Sequence, residues 1–111
     1  MSKSKITVHV ELDENKVPSI LQWESDANKN VVRDIDAFLL HLWDKEDKGT
    51  YNIELWTKDM MLDDMNIFYF QTLMTMADTY QRASNDPEMA AWIKDFAVQF
   101  GEKLKIIKVQ E

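Results

Sequence analysis

The 111-residue sequence contains no cysteine, two glycines and two prolines. Without cysteine the chain can form no disulfide or zinc finger and can carry out no thiol chemistry. With Gly49 and Gly101 as its only glycines, it lacks the glycine-rich loops that cradle phosphates and the Gly-x-Ser-x-Gly turn of serine hydrolases. These absences exclude several of the best-marked classes of enzyme and nucleotide-binding protein.

Positive charge and long hydrophobic runs are also scarce. Thirteen basic against twenty acidic residues give a formal charge of −7, which opposes binding to phosphate backbones and anionic lipid surfaces. The longest apolar runs are far shorter than the ~20 residues of a membrane-spanning helix. The N-terminus alternates apolar and polar residues, unlike a signal peptide. We therefore expect a cytoplasmic protein that binds no nucleic acid and is not inserted into a membrane.

What the chain does contain is typical of a globular domain. Hydrophobic residues make up 45% of it and charged residues 30%. A chain of this length can bury a core without a metal or a disulfide. The sequence therefore predicts a single domain over residues 1–111.

Apolar periodicity predicts three strands. In "KITVHVEL" (5–12) every second residue is apolar, which is typical of a half-buried strand. "VPSILQW" (17–23) predicts its hairpin partner, with Pro18 near the start of the strand. A third strand is predicted at "TYNIELWT" (50–57), after Gly49.

Three helices are predicted from a period near 3.6 residues. Apolar residues at i, i+4, i+7 and i+11 from Val31 to Leu42 predict the first helix. The second and longest runs from about Met60 to residue 83. The third begins after Asp86, a good N-cap residue, with Pro87 at its first position.

Together these elements predict an α+β fold in the order ββαβαα. A small antiparallel sheet, covered on one face by helices, is the stable arrangement for such a set. The last residues, 105–111, are predicted to be either a flexible tail or a short extra strand, because periodicity cannot decide in so few residues.

The long central helix has more apolar surface than one neighbouring layer can cover. One stripe runs along it, and a second ridge of Ile67, Phe70 and Met74 lies beside that stripe. The first stripe consists of Leu62, Met65, Tyr69, Leu73, Met76 and Tyr80. Either the ridge packs under another helix of the same chain, or it binds a protein partner or a second copy, as in a homodimer.

We take five residues as the candidate partner surface, because methionine suits adaptable contacts and tryptophan anchors interfaces. They are Trp56, Met60, Ile67, Phe70 and Met74.

No constellation of residues points to chemistry. His9 and His41 have no carboxylate or second histidine at helical ligand spacing. The acidic clusters "ELDEN" (11–15) and "DKEDK" (44–48) lack the alternating register of a calcium-binding loop and are better interpreted as turns or helix ends. The sequence therefore predicts no catalytic residue, no cofactor and no metal.

Three stretches resemble the gliding-motility-associated GldC family. They are "VELDENKVPSILQWESD", "LLHLWDKEDKGTYNIELWTKDMMLDDMNIFYFQTLMTMADTYQRA" and "MAAWIKDFAVQFGEKL". The resemblance implies a small soluble cytoplasmic protein of gliding bacteria, encoded with the motility and secretion machinery and serving as an accessory rather than a motor. It carries over no catalytic residues.

Three functions are weighed on this basis. The first is a non-enzymatic accessory protein of gliding motility that acts by protein–protein contact through the candidate partner surface. The second is a chaperone-like adaptor for a secreted motility component, which would hold extended client segments and would usually be a dimer. The third is a small-molecule binder or enzyme with a pocket between the long helix and the sheet, lined by Tyr69, Tyr80 and Trp56.

Overall fold

The computed structural model describes residues 2–108, and the chain divides into two compact units, Met1–Met60 and Met61–Glu111. Strands make up most of the first unit and two helices the second, so the predicted α+β class is confirmed. The strands and α-helices are β1 (Ile6–Leu12), β2 (Pro18–Ser25), β3 (Arg33–Ile35), β4 (Ala37–Asp44), β5 (Gly49–Trp56), α1 (Leu62–Ser84) and α2 (Pro87–Lys103), with a short 3-10 helix (Asp26–Asn28) between β2 and β3. The single domain and the packing of helices on one face of the sheet stay predictions.

The core of the first unit lies at the centre of a three-stranded antiparallel sheet in the order β1-β2-β3. Leu21 of β2 pairs with Val10 on one side and with Ile35 on the other. Its side chain is 1% exposed and is the largest fully buried one in residues 2–108. The predicted strand β2 therefore supplies the core residue, whereas Ile6, Val10 and Leu12, which define the apolar face of β1, are exposed.

The predicted helix from Val31 to Leu42 is wrong, and with it the order ββαβαα. This stretch forms β3 and β4, which are separated by Asp36. The buried Thr57 fixes that break, because its backbone amide donates to the Asp36 carbonyl at 2.7 Å and its hydroxyl donates to Asp36 Oδ1 at 3.1 Å. β4 pairs in antiparallel register with β5 as a separate two-stranded sheet.

The two acidic clusters lie in the β-hairpin turns. Asp13 Oδ1 accepts the backbone amides of Asn15 and Val17 between β1 and β2. Asp44 Oδ1 accepts those of Glu46 and Asp47 between β4 and β5. Both clusters are thus turns, as the sequence suggests, but the second joins two strands and does not end a helix.

Each turn ends in a lysine with left-handed backbone, at φ 62° for Lys16 and φ 55° for Lys48. Glycine adopts this conformation without the steric cost of a Cβ. We expect Lys16→Gly and Lys48→Gly each to raise the free energy of unfolding by about 0.5–1 kcal/mol, measured by urea denaturation. Lys45→Gly, in the second turn without a positive φ, is the control. Equal gains for all three variants would contradict the strain argument.

The second unit is an antiparallel helical hairpin joined by two residues. Asn85 takes the left-handed conformation that ends α1 and donates its amide to the Gln81 carbonyl at 2.9 Å. Asp86 then caps α2, because its Oδ1 accepts the Met89 amide at 3.0 Å and Pro87 is the first helical residue. This confirms the helix start that the sequence predicts.

Small residues line the interface of the hairpin. The fully buried positions on the two helices are Ala77, Ala90, Ala97 and Gly101. At Gly101 an added Cβ would lie 2.7 Å from Phe70 Cε1 and 3.2 Å from Ile107 Cγ1. The absence of a side chain there allows the Phe70 ring to lie directly against α2.

The chain beyond α2 folds back on the end of the helix. Lys105 has φ 60° and donates its amide to the Glu102 carbonyl at 3.0 Å, while the Ile106 amide donates to the Gly101 carbonyl at 2.8 Å. This pair of bonds is a Schellman cap. Residues 105–108 therefore form neither helix nor strand, and 109–111 lie outside the described residues.

Candidate protein-binding surface

The five residues of the candidate partner surface fall in different units. Trp56 ends β5 and Met60 ends the first unit, whereas Ile67, Phe70 and Met74 lie on α1. Trp56 and Ile67 are exposed, and the other three are half-buried. Their role in binding a partner stays a prediction, and each unit contributes to it separately.

Phe70 has a role within the helical hairpin. Its ring lies on the backbone of Gly101, where a Cβ would come within 2.8 Å of Cδ1. At 100° per residue, Met74 and the buried Ala77 lie on the same side of α1 as Phe70. Phe70 and Met74 of the second apolar ridge therefore face α2, which is the intramolecular alternative that the sequence leaves open, whereas Ile67 lies at the margin and is 39% exposed.

Trp56 lies at a shallow depression of the first unit. The depression is formed where the β1–β2 turn approaches β5, and Lys58 contributes an amide that donates to the Pro18 carbonyl at 3.3 Å. Both apolar and charged side chains line the depression. The lining residues are Lys16, Val17, Pro18, Glu54, Leu55, Trp56 and Lys58. With 56% of its surface exposed, Trp56 has the environment of an interface anchor: an apolar wall with a charged rim.

A second exposed tryptophan shares its face of the β4–β5 hairpin. Trp56 is opposite Ala37 and Trp43 is opposite Thr50, and the alternation of strand side chains puts both tryptophans on one face. Trp43 is 65% exposed. It lies six positions along β4 from Ala37, which corresponds to roughly 20 Å. Trp43 is therefore a matched reference for any role of Trp56.

Large apolar side chains on both helices are exposed. On α1 four members of the first stripe are among them, Leu62, Tyr69, Met76 and Tyr80. On α2 they are Met89, Trp92 and Phe96. The side chains that pack inside the hairpin are smaller than the pattern of large apolar residues suggests.

The titratable groups with shifted pKa values in residues 2–108 are Asp13 in the β1–β2 turn, Asp26 after β2 and Tyr51 in β5. The Val17 amide that donates to Asp13 lowers the pKa of that carboxyl group. The Ser4 hydroxyl, followed by the Lys5 amide, lowers the pKa of Asp26. A hydrogen bond to Asp47 raises the pKa of Tyr51 above its usual value. These carboxylates already accept hydrogen bonds from their own chain, which accounts for the shifts without an active site.

The histidines lie at the surface of the first unit. His9 Nε2 is 2.7 Å from Glu24 Oε2 on the neighbouring strand, and His41 is exposed opposite Asn52. Within residues 2–108 no three His, Asp or Glu side chains gather closely enough to hold a metal ion. Neither helix of this described part combines the length and the apolarity needed to cross a bilayer.

Residues 18–106 match the model of a family described as gliding motility-associated protein GldC-like. The chain belongs to this family. The match begins at Pro18, at the start of β2, and continues through Ile106 in the cap of α2. It confirms the GldC resemblance of the sequence. No curated protein and no solved structure matches the chain.

Within this family member, the sequence predicts Trp56 as a surface residue but does not identify the face of α2 that carries Trp92 and Phe96. The signal for that face is present, because Ala90 and Ala97 mark the opposite side of the helix as the close-packed one. Small residues spaced by seven on one face allow a neighbouring helix to approach closely. Such a pattern could have oriented the helix correctly.

Proposed function

We propose that the protein is a non-enzymatic, cytoplasmic accessory protein of gliding motility that acts by binding another protein. Family membership supports the process, and the net charge of −7 disfavours nucleic acid and anionic membranes as partners. The observation that carries the proposal is Trp56, an exposed aromatic beside the apolar depression of the first unit. Met60 of the first unit and the exposed Ile67 of the second are secondary candidates for contact with the partner.

The test compares two tryptophan variants in a gliding bacterium. We expect Trp56→Ala to weaken capture of the crosslinked partner by at least about 30-fold, the effect of losing an interface hot spot. Trp43→Ala removes an equally large exposed side chain from the same face and should leave capture unchanged. Circular dichroism checks that both variants fold. Equal capture by Trp56→Ala and the unmodified protein would refute the proposal.

A chaperone-like adaptor for a secreted motility component is the second candidate. It is favoured by the β4–β5 sheet, to which no third strand is added within residues 2–108. An extended client segment could pair with an edge of such a sheet. The distinguishing measurement is suppression of client aggregation by the purified protein. We expect suppression under this second function and none under the first.

A further inference from the structure

The exposed apolar residues of the helical hairpin form one continuous face. On α1, they lie about 60–100° from Ala77, measured backward around the helix axis at 100° per residue. On α2, they lie about 100–160° backward from the Ala90–Ala97–Gly101 side. Because α1 and α2 are antiparallel, rotations in the same sense bring both sets to the same side of the hairpin. We name it the hairpin face; its members are Leu62, Tyr69, Met76, Tyr80, Met89, Trp92 and Phe96.

The hairpin face has the area that a stable interface needs. Trp92 is 70% exposed, Phe96 59% and Met76 55%. Counting an aromatic side chain as ~200 Å² and the methionines and leucine as slightly smaller, the seven residues expose on the order of 700 Å². Each partner of a standard-size protein interface buries ~800 Å².

The spacing along both helices favours another helix as the occupant. On α1, Leu62, Met65, Tyr69, Thr72 and Met76 alternate in steps of three and four. On α2, Met89, Trp92 and Phe96 follow the same steps. This is the repeat of helices that pack side by side in coiled coils and four-helix bundles.

Charge favours a partner with an equally uncharged face. The acidic residues within the two helices are Asp63, Asp64, Asp78, Glu88, Asp95 and Glu102. On the helical wheel, each lies at least about 70° from the middle of the hairpin face. The nearest of them, Glu88, lines a shallow depression with Asp86, Met89 and Trp92 at the start of α2. Two copies of this acidic chain can therefore meet through the apolar middle of this face, with carboxylates only at its rim.

We propose that the hairpin face is a self-association surface, on which a second copy of the chain packs the same face to form an antiparallel four-helix bundle. The contact is isologous, so Trp92 and Phe96 of each copy serve as anchors around one twofold axis. It does not depend on the motility role or on Trp56.

The test is the mass of the full chain in solution, measured by light scattering and by sedimentation. We expect twice the mass of one chain at micromolar concentration. Met76→Glu places a charge in the middle of the hairpin face and should weaken the dimer at least about 30-fold. Ile67→Glu, at a 39% exposed apolar position on the far side of the same helix, should leave the dimer intact.

A second measurement keeps the proposal testable if Met76→Glu fails to fold. The chain has no cysteine, so one introduced thiol reports on one position. A bismaleimide spanning about 10 Å, the spacing of packed helices, should link two copies of Met76→Cys and should not link copies of Ile67→Cys. A monomeric unmodified chain, or equal crosslinking of the two variants, would overturn the proposal, and so would a dimer that Met76→Glu leaves unchanged.

Discussion

Leu21→Ala is expected to lower the free energy of unfolding of the first unit by about 2–5 kcal/mol. The side chain is 1% exposed, in the central strand of the three-stranded sheet. Alanine would lose the contacts of the leucine and leave a cavity. The paired residues Val10 and Ile35 cannot move in to fill it, because the sheet holds their backbones in place. Since a domain is typically stable by only ~5–15 kcal/mol, such a loss is a large part of the total.

The neighbouring residue provides the control for Leu21. Ile20 is 44% exposed, and its side chain lies on the other face of β2 because strand side chains alternate. Ile20→Ala removes a similar apolar volume and should cost less than half as much. Urea denaturation followed by tryptophan fluorescence is suited to the comparison, because three of the four tryptophans, Trp23, Trp43 and Trp56, are in the first unit. Equal losses for the two variants would mean that the core does not lie at Leu21.

The sequence predicts elements well where one face of an element is apolar and the other polar. β1 and β5 show this alternation, and α2 begins with Asp86 and Pro87 as a cap and first residue. In these segments the local pattern is enough to set the type of element, although apolar side chains such as Ile6, Leu12 and Ile53 are exposed. Their strand or helix type is therefore visible without coordinates.

β4 shows where periodicity fails. Its residues Ala37–Asp44 carry apolar side chains on both faces, including Leu39 and Trp43 on one and Phe38 and Leu42 on the other. A strand that is apolar on both faces shows no period of two, and a subset of its residues then fits a helix by chance. The β-branched Val31, Val32 and Ile35 favour a strand, so composition could have corrected the assignment.

The candidate surface shows a different limit. Helical periodicity identifies how many apolar stripes a helix has, but the partner of each stripe depends on where the neighbouring helix comes closest. In the hairpin, closest approach is set by small residues such as Ala77 and Gly101. Phe70 consequently faces inward, and the stripe with Tyr69 and Met76 remains exposed.

Gly101→Leu is expected to destabilise the helical hairpin by about 2 kcal/mol or more, although leucine favours helices by nearly 1 kcal/mol over glycine. Even the first carbon of a side chain would lie 2.7 Å from Phe70 Cε1 and 2.8 Å from Phe70 Cδ1. The ring belongs to the middle of α1 and the glycine to the last turn of α2. Relief of the clash requires the two helices to separate, so overpacking outweighs the gain in propensity.

Gly49 is the matched control, because nothing lies within 4 Å of an added Cβ there. Gly49→Leu should change thermal stability, followed by circular dichroism at 222 nm, by much less than Gly101→Leu does. The cause of the Gly101 effect can then be isolated with Phe70→Ala. If the ring is what a side chain at 101 meets, the double variant loses less stability than the sum of the two single variants by more than about 0.5 kcal/mol. Additive losses would mean that a side chain at position 101 meets another group first, and Ile107, at 3.2 Å from an added Cβ, is the next nearest. Phe70 would then again be a candidate for the partner surface.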